Sequence, residues 1–235
     1  RKDGTTWELK NNKIFMLLIP AILAINIFEA CSRDFQVAMQ YWGNITELAD
    51  EPGMFVLGGP WNIMNGIAGI LNAVTIAGWF GVCVRKKSDK DSSRDMIWPD
   101  MMWFWIVAYD LWNFAYTYNC LPSHAWYCGL ALLLAPTTAA FLINKGAWLE
   151  NRARTLSIWC FFAQCWPMFQ DEVVVVNSTY NPVIYNIVSA LALIANVAVF
   201  VFMIYKSVQK KKNPWTNSIY DDMDGYKKIA EQAEA

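Results

Sequence analysis

The sequence predicts an all-α fold: a polytopic membrane helix bundle with six transmembrane helices in this chain and both termini on the cytoplasmic side. Three observations lead there. Of 235 residues, 56% are hydrophobic and 17% charged, against about a quarter charged in an ordinary soluble domain. The apolar residues gather into six runs near the roughly 20 residues that a helix needs to cross a bilayer core. The basic residues, finally, sort to one side of those runs. Helices are predicted rather than barrel strands because lipid satisfies no free backbone group and the runs are long and continuously apolar.

Residues 1–13 read as a polar cytoplasmic lead-in without a signal-peptide pattern. The chain opens at Arg1 rather than Met, so a further N-terminal region is expected before it. The transmembrane domain is expected over 14–205, with spans at 14–31, 60–84, 98–118, 124–144, 155–170 and 182–205. Pro60, Pro99 and Pro182 stand at helix starts, where a missing N–H is harmless. Pro20, Pro136 and Pro167 fall inside spans and predict kinks that neighbouring helices tolerate. Residues 206–235 are expected as a polar cytoplasmic tail, either a short amphipathic helix or a loose segment.

The charge pattern tests this topology. With the N-terminus inside, segments 1–13, 85–97, 145–154 and 206–235 hold 4, 5, 3 and 6 Lys plus Arg, which is 18 of 19. Arg33 is the one left outside. Adding or dropping an internal span would flip the later connectors and destroy the asymmetry that orients membrane proteins. The outer loops are acidic instead: Asp34, Glu47, Asp50 and Glu51 in the first, Asp171 and Glu172 in the third. The expected location is therefore the cell membrane, as a multi-pass protein whose first partner is the lipid bilayer.

The third span carries most of the polar chemistry. Asp100, Trp103, Asp110, Asn113 and Thr117 recur at spacings of three, seven, three and four, which places them on one helical stripe. Asp110 lies 12 residues into that span. A carboxylate at such a depth costs about 2.5–3.5 kcal/mol on insertion scales, so it should face the bundle interior or a watered cavity. It is read as a substrate, proton or cation site, with a hydrogen-bonded structural carboxyl as the plainer alternative. On the second span, Gly66, Gly69, Ala73, Ala77 and Gly81 make a small-residue face suited to close helix packing. In this chain or between chains, that face is the expected surface for a homo-oligomer or membrane complex, chiefly through Gly66, Gly69, Ala73 and Ala77. Beside it, Asn62, Asn65 and Asn72 either glue helices together or coordinate a solute.

Counting residues along each span puts Asn26 and Glu29 of the first helix, Asn62 and Asn65 of the second, Asp110 and Asn113 of the third and Asn186 of the sixth in the outer half. Trp61, Trp112, Trp126 and Trp166 fall at similar levels, as wall residues or as members of an interfacial belt. The expected substrate-binding residues are Asp110, Asn113, Asn65, Asn62, Glu29, Asn26 and Trp112, around an outward-facing polar and aromatic cavity.

Other chemistries are excluded for want of parts. One histidine, His124, makes no metal motif, and the six cysteines form no CxxC. The pairing of Cys120 with Cys128 is left open. No span contains a lysine, and there is no GxxxxGK[ST] or GxSxG. No catalytic residue, metal or cofactor is expected, and a net charge of −1 suggests no nucleic-acid partner. Asn44 and Asn177 head glycosylation sequons in outer loops.

The segments LIPAILAINIFEACSRDFQ, GGPWNIMNGIAGILNAVTIAGW, DMIWPDMMWFWIVAYDLWNFAYTYN and INKGAWLENRA carry a resemblance over nearly the whole chain. It is to an uncharacterised family of bacterial integral membrane proteins. That resemblance implies further hydrophobic helices upstream and supplies no activity or site residues. A second, weaker likeness, limited to about residues 97–150, rests on Trp98, Trp105, Asp110 and Trp148. Their spacing is similar to a helix pair of nicotinamide-riboside-type vitamin transporters, without the Trp/Asn substrate motif of that family. The function expected is a small-solute transporter or permease rather than an enzyme. The alternative is a non-catalytic structural subunit or scaffold of a membrane assembly.

Overall fold

A computed structural model of the chain describes residues 12–49, 52–88, 92–166, 172–173, 176 and 178–233. The lead-in up to residue 11, the acidic pair Asp50 and Glu51, Pro167, Asp171 and the sequon Asn177 lie outside the described residues. The protein is mainly helical, in agreement with the all-α expectation.

Helix α1 runs Lys13–Gln40, nine residues beyond the expected first span. Asn12 starts it by accepting hydrogen bonds from the amides of Ile14 (3.0 Å) and Phe15 (3.3 Å). It continues past Cys31 because its buried stripe does: Leu23, Ile27, Ala30, Asp34, Val37 and Ala38 recur at helical spacing. Arg33 and Asp34, expected in an outer loop, are thus helical. A short hairpin follows, with Ile45–Glu47 (β1) paired antiparallel to Phe55–Leu57 (β2).

Helix α2, Pro60–Val74, is ten residues shorter at its C-terminal end than the expected span. The chain turns instead through Gly78, whose φ of +60° suits glycine, and Trp98 donates its indole N–H to the Gly78 carbonyl at 3.0 Å. A second antiparallel pair joins Cys83–Val84 (β3) to Met96–Ile97 (β4). Helix α3 runs Trp103–Cys120. Its start lies five residues after the expected one because residues 98–102 form a turn, with the Trp98 amide held by the Gly146 carbonyl at 3.0 Å.

The fourth segment is continuous but irregular: a π turn at Tyr127–Ala131, helix α4 at Leu132–Thr138, and a second π turn at Ala139–Ile143. Helix α5, Trp148–Cys165, begins seven residues before the expected fifth span and so takes Glu150, Arg152 and Arg154 into the helix. Helix α6, Pro182–Lys210, opens on Asn181, which caps the Val183 amide at 2.9 Å.

By length and composition, two of these helices could cross a membrane, α1 and α6, and Cys128–Ile143 is a shorter apolar helix. Six such helices were expected. The fourth segment is too short, α2 is cut short by its glycine turn, α3 is diluted by Trp, Tyr and Asn, and α5 carries three charges in its first two turns.

The six helical segments alternate in direction, which gathers their ends into two groups. At the hairpin end lie the hairpin, the C-termini of α1 and α3 and the N-termini of α2 and α6. At the tail end, residues 213–233 fold back over the bundle. The amides of Gly78 and Trp79 bond the carbonyls of Pro214 (2.8 Å) and Trp215 (2.9 Å), and Lys86 bonds Gln232 (2.8 Å). Ile219 and Tyr220 are buried there with Ala77, Met102 and Met203. The expected polar tail is therefore a packed cap, with one short helix, α7, at Asp224–Ala230. Inside the bundle α2 packs on α1, α3 and α6, while α4 and α5 pack together beside α3.

Candidate functional site

Two carboxylates from helix interiors organise the polar side chains, the buried Asp34 near the hairpin end and the half-buried Asp110 close to the middle of α3. Near the hairpin end, Asp34 is fully buried. Its Oδ1 accepts from Asn62 Nδ2 at 3.0 Å and from the Cys120 thiol at 3.4 Å, and its Oδ2 accepts from Asn65 Nδ2 at 2.7 Å. Asn62 is fixed further because its Oδ1 takes the Gly59 amide at 3.2 Å. One carboxylate thus ties α1, α2 and α3 with every oxygen used, which is how a buried polar group avoids its desolvation penalty. Cys120, engaged with Asp34, is free, as are the other five cysteines.

Nearer the tail end, Asp110 accepts the Thr137 hydroxyl on Oδ2 at 2.6 Å, and that hydroxyl accepts the Trp148 indole N–H at 2.9 Å. Asp110 stands seven residues from the start of α3 and ten from its end, so at 1.5 Å per residue it lies on the tail side of centre. The outer-half placement is corrected by the later start of the helix. Arg152 of α5 acts on Asp110 electrostatically. Its position follows from Pro136: proline has no N–H for the Leu132 carbonyl one turn back, and Arg152 Nη1 donates to that carbonyl instead, at 3.2 Å. Asp110 Oδ1 and Arg152 Nε are both buried with no hydrogen-bond partner among the described residues. A groove of about 300 Å³ is lined by Arg152 with Asn26, Tyr109, Leu23, Leu149 and Leu156; Asp110 itself is not part of that lining, although its neighbour Tyr109 is.

The predicted site residues therefore do not converge. Asn62 and Asn65 are committed to Asp34, some way along the bundle from Asp110. Trp112 is fully buried in the core, edge-on to Tyr109 at 5.4 Å, rather than lining a cavity. Asn113 is buried on α3 one turn from Asp110, Glu29 is exposed on α1, and Asn26 is exposed at the groove. Trp61 stacks on Tyr185 at 5.2 Å. The small-residue face is occupied within the chain. A Cβ on Gly66 would meet the Phe35 ring at 2.7 Å, and one on Gly69 would meet Cys31 Sγ and the Trp112 indole at 2.4 Å. Ala73 and Ala77 are buried as well. These four residues thus pack against side chains of this same chain.

Four residues that sequence reasoning passed over carry much of the arrangement: Asp34, Thr137, Arg152 and Asn196. Asn196 accepts from Asn72 Nδ2 at 2.8 Å and donates to the carbonyls of Ala108 and Ala192 at 3.1 and 2.9 Å, linking α2, α3 and α6. Asp34 was legible from its spacing on the buried stripe of α1. Thr137 and Arg152 gave no local signal.

Outside the helical bundle, ion pairs hold the tail end together. Burial opposes ionisation of Asp95, but hydrogen bonds from Asn144 (2.7 Å), Ser93 (2.9 Å) and Arg154 (3.0 Å), with the Arg154 charge, hold its carboxyl below the usual range. Lys210 and Lys212 hydrogen-bond Asp221, and Lys206 and Lys210 hydrogen-bond Asp222, holding both carboxyls low as well.

The profile of a family of unknown function, DUF5692, matches residues 5–232. The chain belongs to this family. No curated protein and no solved structure matches it. The DUF5692 name assigns no activity, so a functional reading rests on the side chains themselves, above all on the incomplete set around Asp110.

Proposed function

We propose that this protein is a small-solute transporter or permease of the cell membrane that crosses the bilayer six times with both ends in the cytoplasm. The charge asymmetry of the connectors supports the topology, and the packing of α2, α3 and α5 against neighbours supplies the contacts that short or polar spans need. The single observation that carries the solute reading is the pair of open hydrogen-bonding positions at Asp110 Oδ1 and Arg152 Nε, with Arg152 lining a groove of about 300 Å³. An intramembrane acid and base next to a groove mark a solute or ion pathway by default. The solute would carry a donor for Asp110 and an acceptor for Arg152, with Asn26 and Tyr109 at the groove wall. Asn62 and Asn65 take no part, since both give their side-chain N–H groups to Asp34.

A thermal-shift screen of the purified chain against vitamins, nucleosides, amines and amino acids, run with Asp110→Asn in parallel, tests this. A ligand that binds the folded state raises the midpoint by mass action. A shift present in the wild type and absent in Asp110→Asn supports the site. No shift across the panel, with both proteins equally stable, overturns it. That outcome favours the second reading, a non-catalytic scaffold or subunit, which is supported by the hydrogen bonds that Asn62 and Asn65 give to Asp34 and Asn72 gives to Asn196, tying the helices to one another.

A further inference from the structure

A second groove, of about 280 Å³, opens at the tail end between α3, the second π turn and α7. Its floor is apolar: Met101, Trp103, Ile106, Ala140, Phe141 and Trp148. Its mouth carries two lysines, Lys145 from the turn after the fourth segment and Lys228 from α7. The cap holds them at that mouth. Ile229 of α7 sits on Gly146, where an added Cβ would fall 2.5 Å from Ile229 Cγ2, and Met102 Cε lies against Gly225. Three other lysines of this end, Lys206, Lys210 and Lys212, differ because they are neutralised by Asp221 and Asp222. Among the described residues, Lys145 and Lys228 have no carboxylate partner.

An apolar trough with two unneutralised ammonium groups at one end has the polarity of one ligand class, an amphiphile with an anionic head. We propose that this groove binds an anionic phospholipid, its phosphate between Lys145 and Lys228 and an acyl chain along Trp103, Ile106 and Phe141. The proposal rests on the membrane-spanning reading, under which this end lies at the cytoplasmic leaflet, where anionic lipids attract basic residues. Trp103, 59% exposed on the groove wall, suits the boundary between head groups and chains.

The test reconstitutes the full chain into phosphatidylcholine nanodiscs with and without a minor fraction of phosphatidylglycerol and counts retained lipids by native mass spectrometry. Wild type is expected to retain phosphatidylglycerol preferentially. Lys145→Gln and Lys228→Gln should each weaken the preference about fivefold and the double variant about thirtyfold. Lys13→Gln, a charge change on the exposed start of α1, should leave it intact. Equal melting midpoints in pure phosphatidylcholine confirm that the variants fold. A double variant that retains the wild-type preference, or a Lys13→Gln variant that loses as much, overturns the lipid site alone. A chain that enters no bilayer at all overturns the membrane reading, and this site with it.

Discussion

Asp34 and Asp110 are the same side chain on neighbouring helices, and the bundle treats them differently. Asp34 meets two amides and a thiol that use both of its oxygens. Asp110 meets one hydroxyl and keeps one oxygen unpartnered, and Arg152, which acts on it electrostatically, lines a groove. A buried carboxylate alone therefore does not mark a site in this protein. The completeness of its hydrogen bonding separates a structural tie from a place where a solute could bind, because a saturated group has nothing left to offer a ligand.

The sharpest way to break this contrast is Asp34→Ala. It strands the amides of Asn62 and Asn65 in a dry interior and should cost about 3–5 kcal/mol in a denaturant titration of the purified protein. A loss below 1 kcal/mol would mean that water reaches the cluster and that it is not the closed tie described. Gly69→Ala comes next. Its new methyl would press on Cys31 and Trp112, and overpacking of this kind costs about 1–3 kcal/mol by the same titration. If the variant is as stable as wild type, the close approach of α2 to α1 and α3 is wrong.

Asp110→Asn should be the mildest of the core changes, at about 1 kcal/mol or less, since its amide oxygen still accepts from Thr137. A cost equal to that of Asp34→Ala would erase the distinction between the two carboxylates. The smallest effect is expected outside the bundle. The folded-state carboxyls of Asp95, Asp221 and Asp222 lie below the usual range, so the folded chain binds fewer protons than the unfolded one. Their stabilisation is complete above the ordinary carboxylate pKa of about 4 and is lost as pH falls through the lowered folded values. For the exposed pairs of Asp221 and Asp222, each should contribute about 0.2–1 kcal/mol and less in high salt. Protease sensitivity of the cap between pH 3 and 7, in wild type and Asp222→Asn, reads it. An Asp222→Asn cap already as sensitive at neutral pH as the acidified wild type would assign the effect to that one carboxyl.

Much of the fold was legible along the chain. Apolar run length and the prolines at 60 and 182 located six helical segments, and Asn62, Asn65 and Asn72 are buried among them. The candidate site was legible in part only. Asp110 stood out on its own helix, whereas Thr137 looks like any threonine in an apolar run and Arg152 like a connector charge. The tail was legible in part: it holds a short helix, one of the two forms expected, but its packing was not legible, because only Ile219 and Tyr220 are buried within 213–233 and two residues are too few to make a periodic signal.

Local chemistry thus fixes which residues form helices, in what order, and which polar groups must find partners. It does not fix which partners they find. A start displaced by five residues, as in α3, moves every side chain about 7 Å along the helix axis, more than twice the reach of a hydrogen bond. Asp110 was set apart from Asn62 and Asn65 and beside Thr137 and Arg152 by the turn before Trp103, the missing N–H of Pro136 and the early start of α5. Those depend on contacts between segments far apart in the chain, and only the folded structure decides them.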